Sequence, residues 1–223
     1  MNRMEINTNH FITQKTARYS TLGTLSKETK YFWFALHGSK MQCEQVLYKF
    51  AKFDPKEHFI VAPEGLNRFY ANGFGGEVVS SWMTSRDRLA EIDDFSIYLS
   101  NLYQKYIDLI PNHSKKILLA FSQGCTTAYR WMNHSRIEAD YFLPYSGWIP
   151  EDIDLKNSKT NLNKIKTTYS YGSDDQFLTP EIIEKIKKNI DKNDLEITIE
   201  KYKGDHRIDK THLQYLFKNY INI

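Results

Sequence analysis

Ser122 stands in the run Ala120-Phe121-Ser122-Gln123-Gly124, the segment of this chain best suited to nucleophilic chemistry. Ahead of it lies the apolar run Ile117-Leu118-Leu119. Behind it come Cys125, Ala128, Tyr129 and Met132, spaced like one face of a helix. A serine on a sharp strand-to-helix turn, with small residues two places to either side, has the setting of a nucleophile. The flanks must be small because strand and helix pack closely there. The tight turn then holds the serine oxygen above the sheet edge, where a base can reach it. The usual first residue of such a turn is glycine, and here it is Ala120.

A serine nucleophile needs a base to take its proton and an acid to orient that base. In a strand-helix alternation the expected chain order is serine, acid, histidine. The segment Gly172-Ser173-Asp174-Asp175 follows a strand predicted over 167–171. Lys203-Gly204-Asp205-His206 follows one ending near Tyr202. His10, His58, His113, His134 and His212 follow no late strand, so His206 is the base candidate. Asp174 and Asp175 are neighbours in an acidic turn that could equally cap a helix, and the residues alone leave the choice open.

Acyl transfer also needs two N–H groups aimed where negative charge develops. The Gln123 amide, directly after the serine, is one. The loop His37-Gly38-Ser39-Lys40, which follows the apolar run Tyr31–Leu36, should supply the other through Ser39. His37 reads as a structural histidine of that turn rather than a catalytic one.

The elements that must position these residues alternate between strand and helix. Strands are predicted at Tyr31–Leu36, 59–62, before Ser122, near Leu143, at 167–171 and through Leu195, Ile197 and Ile199. Helices are predicted through Cys43, Val46, Leu47 and Phe50, and through Leu89, Ile92, Phe95, Leu99, Leu102 and Tyr106, with Ser85 as N-cap of the latter. A further helix starts at Thr179-Pro180-Glu181, which supplies a cap, a proline in the first turn and an acid beside it. The last runs from about Asp209 and buries Leu213, Leu216, Phe217 and Tyr220. The pattern predicts a single α/β domain over residues 1–223, with a mostly parallel sheet and helices on both faces. Residues 11–19 alternate weakly and are expected to form an antiparallel edge strand. In such sheets, sites form where loops leave the carboxyl ends of strands.

Composition narrows the class. The chain has 223 residues, 41% hydrophobic and 14% aromatic, enough for a sizeable core. The net charge of +3 argues against a nucleic-acid partner, and the lysines between 156 and 210 read as a solvated face. The opening MNRMEINTNHF has no signal-peptide apolar stretch, and no segment has membrane-spanning length. Cys43 and Cys125 lack metal-ligand spacing and are not expected to be bridged, so a reducing, cytoplasmic setting is expected.

Taken together, these residues resemble the α/β-hydrolase superfamily, and within it the phospholipase/carboxylesterase family that includes acyl-protein thioesterases. The resemblance runs from about residue 31 to 220. Leu36-His37-Gly38 matches the family's Leu-His-Gly, the Ser122 run matches its Gly-Phe-Ser-Gln-Gly, and Tyr145-Ser146-Gly147 loosely matches its Leu-Ser-Gly. Its acid stands in a Gly-x-x-Asp turn, which selects Asp175 over Asp174. Its base stands in a Gly-x-His-like turn, matched by Gly204-Asp205-His206. Ala120 departs from the pattern, and Ser39-Lys40 stands where a more glycine-rich loop is usual. The resemblance implies an α/β-hydrolase fold and a Ser122-His206-Asp175 triad. The activity it implies is a serine esterase, lysophospholipase or thioesterase without metal or organic cofactor, acting on a small acyl ester or thioester, often as a homodimer. A peptidase or acyltransferase would use the same triad, and a binding protein could keep the fold without the chemistry.

Residues 63–85 form a long connection without clear periodicity, rich in glycine and aromatic residues. Long loops are commonly functional. This one follows a strand and is expected to overhang the site, with Phe74, Trp82 and Trp148 lining an acyl groove or, equally, with the loop's aromatic residues plugging it onto the core.

Overall fold

The computed structural model describes residues 6–222. Its centre is a seven-stranded sheet whose middle is built from segments with no polar face. β2 (Tyr31–Leu36), β3 (His58–Pro63) and β7 (Tyr141–Tyr145) are buried at every position, and β6 (Lys115–Phe121) over its last five. Strands buried on both faces belong inside a parallel sheet covered by helices. With β1 (Tyr19–Leu22), β8 (Lys166–Gly172) and β9 (Ile197–Tyr202), the spatial order is β1-β3-β2-β6-β7-β8-β9. Every pairing is parallel except the antiparallel edge pair of β1 with β3.

Side chains alternate across this sheet. Phe32, Phe34, Leu36, Leu118, Ala120 and Phe142 face one core with the apolar sides of α2 (Arg88–Ile107), α3 (Gln123–His134) and α4 (Pro180–Lys192). Trp33, Ala35, Ile60, Leu119, Leu143 and Tyr145 face the other, against α1 (Cys43–Leu47) and α5 (Lys210–Leu216). Thr179 caps α4 by position, with Pro180 in its first turn. Asp209 caps α5, its side chain accepting the His212 N–H at 2.8 Å.

Three expectations are corrected. The edge strand is Tyr19–Leu22 rather than residues 11–19, because pairing with β3 and the ion pairs of Arg18 with Glu44 and Glu64 fix the register there. The long helix starts at Arg88 with Asp87 as its cap residue, not Ser85. Glu91 reaches back to the Thr84 N–H at 2.6 Å, and Leu89 stays exposed. Residues 63–85 are not aperiodic: β4 (Asn67–Tyr70) and β5 (Val78–Ser81) pair as an antiparallel hairpin outside the main sheet. No helix among the described residues is long and apolar enough to cross a membrane.

The chain moves outward in one direction from β2 and in the other from β6. These two neighbours therefore mark the topological switch point, where open α/β sheets form their clefts. Their registered ends, Leu36 beside Ala120, deliver the His37 loop and Ser122 side by side.

Candidate active site

Ser122 occupies the turn between β6 and α3 with φ 52° and ψ −117°, outside the regions side-chain-bearing residues prefer. Such a conformation costs roughly 1–3 kcal/mol and persists only where surroundings enforce it. Here they do. The Ser122 N–H donates to Tyr145 O at 2.9 Å, and Ser122 O accepts from Cys125 N–H at 3.0 Å. At Gly124 a Cβ would come within 2.8 Å of Leu36 O, and at Gly147 one would collide with Ser122 O and the Cys125 side chain. Serine at a helix N-cap ordinarily accepts an amide hydrogen bond. Ser122 makes no such bond, and its Oγ lies 3.0 Å from His206 Nε2.

The other nitrogen of His206, Nδ1, lies 2.8 Å from Asp175 Oδ2. Asp175 is fully buried at its side chain, and its second oxygen accepts the Phe177 N–H at 2.9 Å. Asp174 faces away: it is exposed and pairs with Lys203 at 2.7 Å, which holds its carboxyl below the ordinary range. The turns carrying acid and histidine are locked together. Ser173 N–H donates to Tyr202 O at 2.7 Å and Asp174 N–H to Gly204 O at 2.8 Å, with Gly172 packed against the Gly204 carbonyl too closely for any Cβ. Residues far apart in sequence thus form one hydrogen-bonded line, Ser122–His206–Asp175. Such a line can activate a serine hydroxyl and stabilise the imidazolium that forms.

Phe121 and Phe177 pack against His206, with ring centroids 5.0 and 4.7 Å away. Phe177 is a feature the sequence reading missed, since a single exposed aromatic after an acid carries no periodic signal. Cys125, three residues beyond Ser122, is buried, and burial pushes its thiol well above the ordinary value, so it is not a competing nucleophile.

The Gln123 amide is at the first position of α3, where no intrahelical acceptor exists. Ser39 is exposed in the turn after β2, and among the described residues its N–H finds no protein acceptor. Gly38 lies against Ser122, its missing Cβ only 3.1 Å from Ser122 Cβ. The Gln123 side chain clamps the segment after β5: Oε1 accepts from Ser81 Oγ and Trp82 N–H, each at 3.0 Å, and Nε2 donates to Met83 O at 2.8 Å.

The three residues expected to line a groove are dispersed. Trp82 is 1% exposed, because its indole stacks on His37 and its Nε1–H donates to His37 O at 2.9 Å; it offers no open surface. Phe74 is fully exposed near the tip of the β4–β5 hairpin. Trp148 is half-exposed and follows Gly147, the residue pressed against Ser122.

The one grouping of metal-ligand types among the described residues, Cys43, Glu44 and Glu64, is served by Arg18. Its guanidinium lies 2.7 Å from Glu64 and 3.4 Å from Cys43 Sγ, and burial pushes that thiol up to about 12. A cation is already supplied there by the protein.

A sequence model of the family described as Phospholipase/Carboxylesterase matches residues 28–223. No curated protein matches by sequence. Solved structures that match include acyl-protein thioesterase 2 of Zea mays, at 16% identity and TM-score 0.70, covering 91% of this chain and 97% of that one. A phospholipase/carboxylesterase from Dyadobacter fermentans matches at 15% and 0.67, covering 93% and 98%. A carboxylesterase from Mesorhizobium loti matches at 18% and 0.67, covering 91% and 95%. At these identities the structural likeness speaks for the α/β-hydrolase fold alone.

Proposed function

The chain belongs to the phospholipase/carboxylesterase family, and from that premise we propose that it is a serine hydrolase cleaving acyl esters or thioesters through an acyl-enzyme. The observation that carries this reading is the hydrogen-bonded line from Ser122 Oγ through His206 to the buried Asp175. His206 takes the Ser122 proton as Oγ attacks the acyl carbonyl. The resulting oxyanion is held by the Gln123 and Ser39 amides. His206 then gives the proton to the leaving alcohol or thiol, and Asp175 stabilises the charged ring in between. Water, deprotonated by the same histidine, releases the acid.

Phe121 and Phe177 both pack against the imidazole, which favours the orientation linking serine and acid. The half-exposed Trp148 and Phe177 offer apolar surface to the acyl or leaving group. The relatives named for thioester and carboxylic-ester hydrolysis support the same substrate classes here. A cytoplasmic setting belongs to this proposal, supported by two buried, unpaired cysteines.

A panel of p-nitrophenyl esters, acyl thioesters and peptide amides, assayed with wild-type enzyme, tests the reading. Ester or thioester turnover with a pre-steady-state burst is expected. Turnover of the amides alone would reject it.

A further inference from the structure

The loop that brings Ser39 to Ser122 is held by a buried histidine that the reaction itself does not use. We propose that His37 is a positioning residue for acyl transfer: it fixes the plane of the Gly38–Ser39 peptide so that the Ser39 N–H is presented to the oxyanion. This inference rests on the serine-hydrolase reading above.

His37 Nδ1 lies 2.6 Å from Gly38 O. A carbonyl only accepts, so Nδ1 carries the proton. Nε2 is then the acceptor of a neutral ring, and it receives the Gly65 N–H at 2.9 Å. Ser80 Oγ lies 3.0 Å from Nε2 and 3.0 Å from Met41 O, so its single proton serves either. The ring is fully buried and stacked on Trp82 at 4.9 Å, and burial lowers its proton affinity below the ordinary value. Every polar atom of the imidazole is therefore assigned.

Gly38 O and Ser39 N–H belong to one peptide unit, and no cis bond occurs among the described residues. In a planar trans peptide these two groups point in opposite directions. Tying the carbonyl to the buried ring turns the Ser39 N–H away from that ring. Gly38 in the same unit lies against Ser122. A flipped peptide would strand the buried Nδ1–H without an acceptor, so the ring selects one orientation. The Ser39 side chain takes no part. Lys40, with φ 57°, takes the left-handed conformation that a glycine would adopt, which lets this loop dispense with the glycines usual there.

The two ring nitrogens separate two roles, and two substitutions separate them in turn. The amide nitrogen of His37→Asn can occupy the Nδ1 position and keep the bond to Gly38 O. The amide oxygen of His37→Gln can occupy the Nε2 position and keep the Gly65 N–H, while losing Gly38 O. The expected result is kcat within about threefold of wild type for Asn, and a kcat loss of roughly 10² to 10³ with KM nearly unchanged for Gln. Both should lose thermal stability. Equal kcat losses that track melting temperature, or full activity in the Gln variant, would overturn the proposal.

Should neither variant fold, the native sequence provides the test. Nitrogen-15 NMR of the histidine rings should show His37 as the Nδ1–H tautomer. Replacing Ser39 by its α-hydroxy acid, which swaps the N–H for an oxygen, should lower kcat by roughly 10² or more. The Nε2–H tautomer, or an unchanged kcat, would overturn it. Fluorophosphonate labelling of wild-type Ser122 is scored separately, so its absence rejects the hydrolase reading, and the role of His37 falls with it.

Discussion

Asp175 Oδ2 sits 2.8 Å from His206 Nδ1, while Asp174, its chain neighbour, turns outward to Lys203. One peptide bond separates a buried carboxylate facing the imidazole from a solvated one. Asp175→Asn should lower kcat about 10⁴-fold, by favouring the wrong histidine tautomer. Asp174→Asn removes only an exposed ion pair and should leave kcat within about twofold. Steady-state kinetics on p-nitrophenyl acetate decide this, and the reverse ranking would contradict the assignment.

Gly147 touches the carbonyl of Ser122 with no room for a methyl group, and its neighbours there are backbone and the buried Cys125. Gly147→Ala should therefore displace the serine, cutting kcat and destabilising the fold by about 1–3 kcal/mol. Gly73→Ala makes the useful contrast. It has open space around it, so its cost is confined to a positive φ, and kcat should stay at the wild-type value. Wild-type kcat in Gly147→Ala would remove the proposed steric support of the turn.

Trp82 and Trp148 were grouped by sequence and are separated by burial. Trp82→Ala should cost about 3–5 kcal/mol in chemical denaturation, through the cavity it leaves. The preference among acyl chain lengths should keep its order. Trp148→Ala should leave stability within about 0.5 kcal/mol and alter the chain-length profile. A changed profile in both variants would show that Trp82 communicates with the substrate.

Stability should fall on the acid side of neutrality. Burial lowers the proton affinity of His37, His58 and His212, with His58 brought from 6.5 to about 4. These rings are neutral in the folded chain and protonate more readily when unfolded. Their contribution is thus complete above about pH 6.5 and is lost as pH falls below it, for His58 down to about pH 4. For His58 the gap is worth on the order of 3 kcal/mol. His58→Asn, whose oxygen can still accept the Trp33 Nε1–H now held at 3.0 Å by Nδ1, should flatten the decline. Denaturation at pH 7.5, 5.5 and 4.5 measures the slope, and equal stability at all three would contradict it.

Much of the chain was legible because its local signals agree with its packing. The turn at Ser122 announces itself through Gly124, whose hydrogen is all that fits beneath Leu36 O and His37 O. Thr179-Pro180 marks a helix start that no distant contact opposes. The edge strand was misplaced because Tyr19–Leu22 is specified by β3 and by Arg18, both remote in sequence from the weak alternation of residues 11–19. Ser85 lost the helix start because Glu91 folds back on Thr84. Between groove lining and core packing the sequence leaves Trp82 undecided, because its partner is His37, 45 positions away. Burial created by a histidine has no periodicity to display.

The measurement closest to the central claim is covalent labelling of the native enzyme by a fluorophosphonate, followed by peptide mass spectrometry. An activated serine predicts stoichiometric modification at Ser122, and none in Ser122→Ala, whose turnover of p-nitrophenyl acetate should also be abolished. No labelling of the wild type, or equal labelling and turnover in Ser122→Ala, would contradict a serine hydrolase built on Ser122, His206 and Asp175.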